Sequence, residues 1–243
     1  MFLQFTKVLL FLQGLLLLTT QSSYSSNNYI FVEVVTKRLH QQKVVSTTSE
    51  ILVNTDNGEM IIHYKEPHNF YVFTNKLGEM QVYYPSKNEI MRQQNFLFSS
   101  ENDPIYQFFS DQSQDLGLSD MGFTLKNSVL EDHYLVTEWI PPVAYMQHIL
   151  KAILVQEDYL PIYISYINSS EKVKQKIYFS EWNINDRGVY PQRITQIDYI
   201  TEKDSIISKK SYSNLKIGSE AERFFPKITI PNDAKLVKLS TNQ

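Results

Sequence analysis

The chain has 243 residues, with 23 basic and 26 acidic side chains, a net charge of −3, and 13% aromatic residues. A mildly acidic chain without a basic stripe in its sequence is a poor nucleic-acid binder. The absence of cysteine excludes disulfides, thiolate metal sites and cysteine nucleophiles together.

The N-terminus carries one charge, Lys7, then the largely apolar run from Val8 to Leu18, then the small polar residues Thr19, Thr20, Gln21, Ser22 and Ser23. That is the order of a secretory signal peptide. The run is shorter than the ~20 apolar residues that cross a bilayer, so residues 1–22 read as a cleaved leader. No cysteine follows it to accept a lipid, and every later apolar run is soon interrupted by charge. Residues 23–243 are therefore expected to be soluble after export, as one domain large enough for a substantial core.

From Asn28 to Lys43, Phe31, Val34, Val35 and Leu39 fall roughly at helical spacing, which predicts a helix. Beyond it the period shortens. Val44 to Val53 is rich in Val, Ile and Thr, and Thr55-Asp56-Asn57-Gly58 signals a turn. Met60, Ile62 and Tyr64 then alternate with Ile61, His63 and Lys65, Phe70 to Thr74 is apolar on both faces, and Met80, Val82 and Tyr84 alternate with their neighbours. Strands joined by turns this short are antiparallel neighbours.

The stretch from Asp103 to Leu118, with Ile105, Phe108, Phe109 and Leu116, reads as one or two short helices or an apolar loop. Strands resume at 124–130, 134–140, 152–156, 162–167, 174–179, 192–200 and 205–214, and Pro226, Ile228, Ile230 and Pro231 mark an extended tail. The sum is an α+β, β-dominated domain of about ten antiparallel strands with a few helices, in a sheet large enough to curl. Strands apolar on both faces need helices on one side and a second apolar partner, protein or ligand, on the other.

Motifs for chemistry are scarce. The five histidines, His40, His63, His68, His133 and His148, show no metal-binding spacing. Ser169-Ser170-Glu171-Lys172 fits S-x-x-K but lies in a polar turn, and Gly117-Leu118-Ser119-Asp120-Met121-Gly122 is one residue too long for a nucleophile elbow. The carboxylates show no distinguished pair. No enzyme, metal or cofactor is expected.

The segment from Gly58 to Pro85 reads GEMIIHYKEPHNFYVFTNKLGEMQVYYP. It resembles the signature region of the LolA-like periplasmic lipoprotein carrier family: a strand ending in an aromatic and a proline, a short apolar strand, a turn with glycine, and a strand finishing in Tyr-x-Pro. Tyr134 to Pro141 is similar to that family's central strand, Leu160-Pro161-Ile162 to the entry of a later one, and Ile228 to Pro231 to its terminal strand. The resemblance implies an open antiparallel half-barrel whose concave face is covered by helices, with an apolar cavity for acyl chains. On it, Met60, Ile62, Tyr64, Phe70, Val72, Val82, Tyr84, Val136 and Trp139 would line the lipid site, and the segment from Asp103 to Leu118 would be its lid. A one-residue slip in register would exchange the faces.

One departure stands out. The family's Arg-Pro before the aromatic–proline strand, whose arginine helps hold the lid, would fall near Asp56 or Asn57, where there is no arginine. The implied role is that of a monomeric periplasmic carrier binding acylated lipoproteins or lipid, between an inner-membrane exporter and an outer-membrane acceptor. A sensor on the same fold that binds a protein partner is the alternative, and a periplasmic hydrolase a more distant one.

Overall fold

The computed structural model describes residues 28–95, 98–110, 114–185, 188–224 and 229–237. The leader expected over residues 1–22 lies outside them, as do Pro226 and Ile228 of the tail. Six strands come first: β1 (Tyr29–His40), β2 (Lys43–Asn54), β3 (Met60–Glu66), β4 (Phe70–Thr74), β5 (Glu79–Tyr84) and β6 (Glu89–Gln94). A 3₁₀ turn (Ser100–Asn102) and helix α1 (Pro104–Phe109) follow. Seven more strands are β7 (Thr124–Glu131), β8 (Tyr134–Ile140), β9 (Lys151–Glu157), β10 (Leu160–Ile167), β11 (Val173–Asn185), β12 (Gly188–Tyr199) and β13 (Ser205–Ile217). Helix α2 (Ser219–Glu222) and the short β14 (Lys235–Leu236) complete the described chain.

All fourteen strands form one open sheet, in the order β14-β6-β5-β4-β3-β2-β1-β13-β12-β11-β10-β9-β8-β7. It consists of two antiparallel meanders, β1 to β6 and β7 to β13, joined where β1 pairs with β13. β14 alone pairs in parallel, along β6. The expected ten strands are thus an undercount. The polar segment Glu89–Gln94 forms β6 without apolar alternation, and β14 falls beyond the predicted tail, held only by its pairing with Glu89 and Ile90.

The helix predicted over Asn28 to Lys43 is a strand. Its β-branched residues favour extended backbone, it is paired on both edges at the junction of the meanders, and its first half is covered on both faces. Ile30, Val32 and Val34 point into the main core, while Phe31 enters a second cluster with Leu52, Ile61 and Ala221 on the opposite face. Apolar residues on both faces of a strand imitate helical spacing.

β6 and β7 lie near opposite edges of the sheet, so the segment between them has to cross it. Residues 98–110 and 114–123 form a strap over one face, here called the inner face. Asp103 caps α1 by accepting a hydrogen bond from the Ile105 N–H at 2.9 Å, and Pro104 occupies the first helical position, where its missing N–H costs nothing. Ile105, Tyr106, Phe108, Leu116, Leu118 and Phe123 bury the strap in the main core. α2 packs on the outer face through Ala221, so the two short helices lie on opposite sides rather than together over one face.

Candidate functional site

Strand pairing sets the inner face residue by residue. Ile51 and Val53 lie opposite Ile62 and Met60, Ile62 opposite Val72, Tyr64 opposite Phe70, and Val72 opposite Val82. The rings of Tyr64, Phe70 and Tyr84 stack in a ladder, with centroids 4.5 and 5.5 Å apart. Seven of the nine residues singled out from the sequence therefore share one face: Met60 and Val82 are buried, and Ile62, Tyr64, Phe70, Val72 and Tyr84 are half-buried. Trp139 joins the same face at the far side of the sheet, buried in the core with its indole N–H donating to Thr137 Oγ1 at 2.9 Å. Val136 points the opposite way, because three residues along a strand of period two reverse the side.

A cavity of about 340 Å³ lies under the strap, on the β10–β13 half of this face. Ile164, Ile177, Phe179 and Ile194 make its floor, with Tyr166 at one end, and Pro104, Gln107, Leu116 and Met121 hang from the strap above. These floor residues were not picked out from the sequence. Their alternation was legible in each strand, but only the strap's course shows which strands it roofs. A second hollow of about 450 Å³ adjoins the first, sharing Tyr166 and Gln175, and opens past His148, Asn168 and Lys174.

The polar groups around the cavity are mostly paired. The Asp198 carboxylate accepts from Gln175 at 2.6 Å and from Gln196 at 2.9 Å. Lys210, on the rim, has its Nζ 4.0 Å from Asp103 Oδ2, linking β13 to the cap of α1. Burial pushes the Tyr166 hydroxyl up to about 12, and the neighbouring Tyr145 adds to the rise. Burial likewise raises Tyr64, and Tyr212 well above 10, with the Asp103 carboxylate adding to both. Neutral phenols and apolar floors suit an uncharged, apolar guest.

The turn at Asp56 and Asn57, where the family's arginine would fall, serves the strap by other means. Tyr106 Oη donates to Thr55 O at 3.4 Å and Ser100 Oγ to Gly58 O at 2.6 Å, and the Lys76 ammonium sits 5.7 Å from the Tyr106 ring centre. The two pseudo-motifs resolve as turns. Ser119 Oγ donates to Asp115, and the Asn168 side chain accepts from the Ser170 and Lys172 N–H groups. Among the described residues no three His, Asp or Glu side chains converge as a metal site, and no helix is long and apolar enough to cross a membrane.

No family model matches the sequence, and no curated protein matches it at a significant level. Solved structures do match the fold. A LolA superfamily protein from Nitrosomonas europaea superposes with a TM-score of 0.56 at 14% identity, covering 83% of this chain and 91% of that one. An outer membrane lipoprotein-sorting protein domain, described as putative, from Vibrio parahaemolyticus gives 0.56 at 12% identity, covering 79% and 86%. A DUF1329 family protein from Desulfovibrio piger gives 0.55 at 14%, with the same coverage of 79% and 86%. The fold is LolA-like.

Proposed function

We propose that this chain is an exported carrier that shields acyl chains of lipoproteins in its inner-face cavity, moving them through the periplasm from an inner-membrane exporter to an outer-membrane acceptor. The observation that carries this reading is the apolar floor of Ile164, Ile177, Phe179 and Ile194 beneath the strap. Each methylene kept from water is worth about 0.8 kcal/mol, so an acyl chain gains most of its affinity from such a floor without any catalytic group. The leader at residues 1–22 supplies export, and residues 23–243 work as a single monomeric domain.

Volume sets a condition on the carrier. A methylene fills roughly the space of a water molecule, about 30 Å³, so the cavity of about 340 Å³ holds the greater part of one chain and the adjoining hollow of about 450 Å³ about one more, not three. Further chains require the strap to lift, and the half-buried ladder of Tyr64, Phe70 and Tyr84 is the apolar surface they would then meet on the same face.

The test is titration of the mature protein with a triacylated lipopeptide and with its unacylated peptide. Saturable binding of the acylated form alone is expected. Ile177→Trp, which fills the floor while remaining apolar, should weaken it about tenfold or more, as a loss of some 1.4 kcal/mol would. Equal binding of the two peptides, or none, would sink the carrier and leave the protein-binding sensor as the better reading.

A further inference from the structure

The chain's net charge is −3, yet five cations, Lys37, Arg38, Lys43, Lys203 and Lys209, lie at one end of the sheet, Lys37 and Lys209 among them on the outer face away from the cavity. Pairing places Val44 opposite Leu39, Leu39 opposite Ile207, and Ile207 opposite Ile197. This is one unbroken apolar row across β2, β1, β13 and β12, about 15 Å wide at the usual strand spacing. The row is open to solvent at the hairpin tip, where Val44 is 65% and Leu39 38% exposed, with Val45 and Ile200 exposed beside it. A row one step inward sets Lys37 directly opposite Lys209.

Like charges facing each other across a strand pair are destabilising. Neither lysine has an ion-pair partner among the described residues, and the same holds for Arg38, Lys43 and Lys203 around the tip. Two acids at this end are engaged, Asp204 with His40 and Glu202 with Lys172. An uncompensated lysine pair is a cost that folding alone does not require.

We infer that this end of the sheet docks on an anionic lipid surface. Aliphatic tips entering the interface while lysines reach the phosphates is the arrangement by which peripheral proteins hold an acidic bilayer. The row itself is aliphatic, and the Tyr199 ring beside it carries the Lys176 ammonium 5.8 Å from its centre, unlike the bare aromatic anchors that dominate protein–protein contacts. The docking surface is independent of the acyl cavity, and it leaves the cavity face turned away from the membrane plane.

The test is co-sedimentation of the exported, leader-free protein with vesicles of phosphatidylglycerol mixed into phosphatidylethanolamine, against vesicles of phosphatidylcholine. Binding to the anionic vesicles alone, falling with added salt, is expected. Each cation removed near an acidic surface costs about fivefold in partitioning, so Lys37→Gln with Lys209→Gln should lose about 25-fold. Relief of the like-charge pair keeps that variant folded, with a denaturation midpoint no lower than the parent's. Val44→Asp should abolish binding at unchanged circular dichroism. No binding to anionic vesicles, equal binding to both kinds, or anionic binding unaltered in the lysine variant would overturn the proposal; capture of an acidic protein without vesicle binding would do so as well.

Discussion

Replacing Phe108 by alanine tests whether the strap opens apart from the sheet. Phe108 is 6% exposed, and it meets Phe179 and Trp182 edge-to-face with centroids 5.7 and 5.5 Å away. Truncating a core phenylalanine costs roughly 3–5 kcal/mol, of which each aromatic pair accounts for about 0.5–1.5 kcal/mol beyond burial. A helix of six residues has no stability alone, so α1 is held by Ile105, Tyr106 and Phe108 and detaches as a unit when they lose their hold. If the strap undocks separately, nearly all of the loss falls on its own opening equilibrium, which then rises about 100- to 3000-fold at 1.4 kcal/mol per decade. Native-state hydrogen exchange reads this at two amides, Gln107 N–H, bonded to Asp103 O, and Ser110 N–H, bonded to Tyr106 O. Their exchange should accelerate by that factor, while the ladder between β10 and β11 and the denaturant midpoint move little. Ladder amides accelerating in step with the strap, together with a midpoint lowered by the full amount, would show one cooperative unit and refute a separately opening roof.

Three further outcomes are expected. Tyr166 and Tyr212 hold their protons above the ordinary value of 10, Tyr166 up to about 12; the unfolded chain loses them first, so stability is intact below pH 10 and falls as the pH rises through that window. Because the Tyr212 hydroxyl has no hydrogen-bond partner among the described residues, Tyr212→Phe should be neutral or stabilising by about 1 kcal/mol and should flatten the alkaline fall, read by urea denaturation between pH 8 and about pH 12. Gly188→Ala would bring a Cβ within 2.7 Å of Phe109 Cε1 at a φ of +153°, so a loss of roughly 1–3 kcal/mol from overpacking is expected in thermal melts; an unchanged melting point would show that the end of α1 is free to move aside. Glu138 is held below its ordinary 4.5 by the Lys126 and Lys151 ammonium groups that donate to it; Glu138→Gln should cost less than about 1 kcal/mol at neutral pH, as half-exposed pairs do, and the difference from the parent should close as the pH falls below 4.5.

Much of the local structure was written in the order of residues. Phe70 to Thr74 and Met80 to Tyr84 are strands because β-branched and aromatic residues alternate between turns, and their pairing brings Ile62, Tyr64, Phe70, Val72 and Tyr84 to one face without any tertiary input. The stretch from Asp103 to Leu118 read as short helices or an apolar loop, and the turn at Asp56 and Asn57 announced the absence of the family's arginine. Local reasoning failed where burial was set from outside. β1 imitated a helix because it carries apolar residues on both faces, buried over its first half and exposed at Val35 and Leu39, and β6 and β14 are strands only because each has an edge to pair with.

Composition and periodicity by themselves determined a β-dominated chain without disulfides, and the alternation that sorts each strand into two sides. Tertiary structure alone decided how the strands are ordered across the sheet, and two consequences follow from that order. Placing β6 and β7 near opposite edges sends the strap over the inner face, which puts the cavity on Ile164, Ile177, Phe179 and Ile194 rather than under the strands that carry the sequence signature. Pairing β1 with β13 sets Lys37 beside Lys209, far apart in sequence, so a chain with no basic stripe along its length still brings two cations face to face across its strands. Alternation has a range of a few residues and is legible locally; strand order depends on contacts between segments more than a hundred residues apart, to which no local pattern is tied.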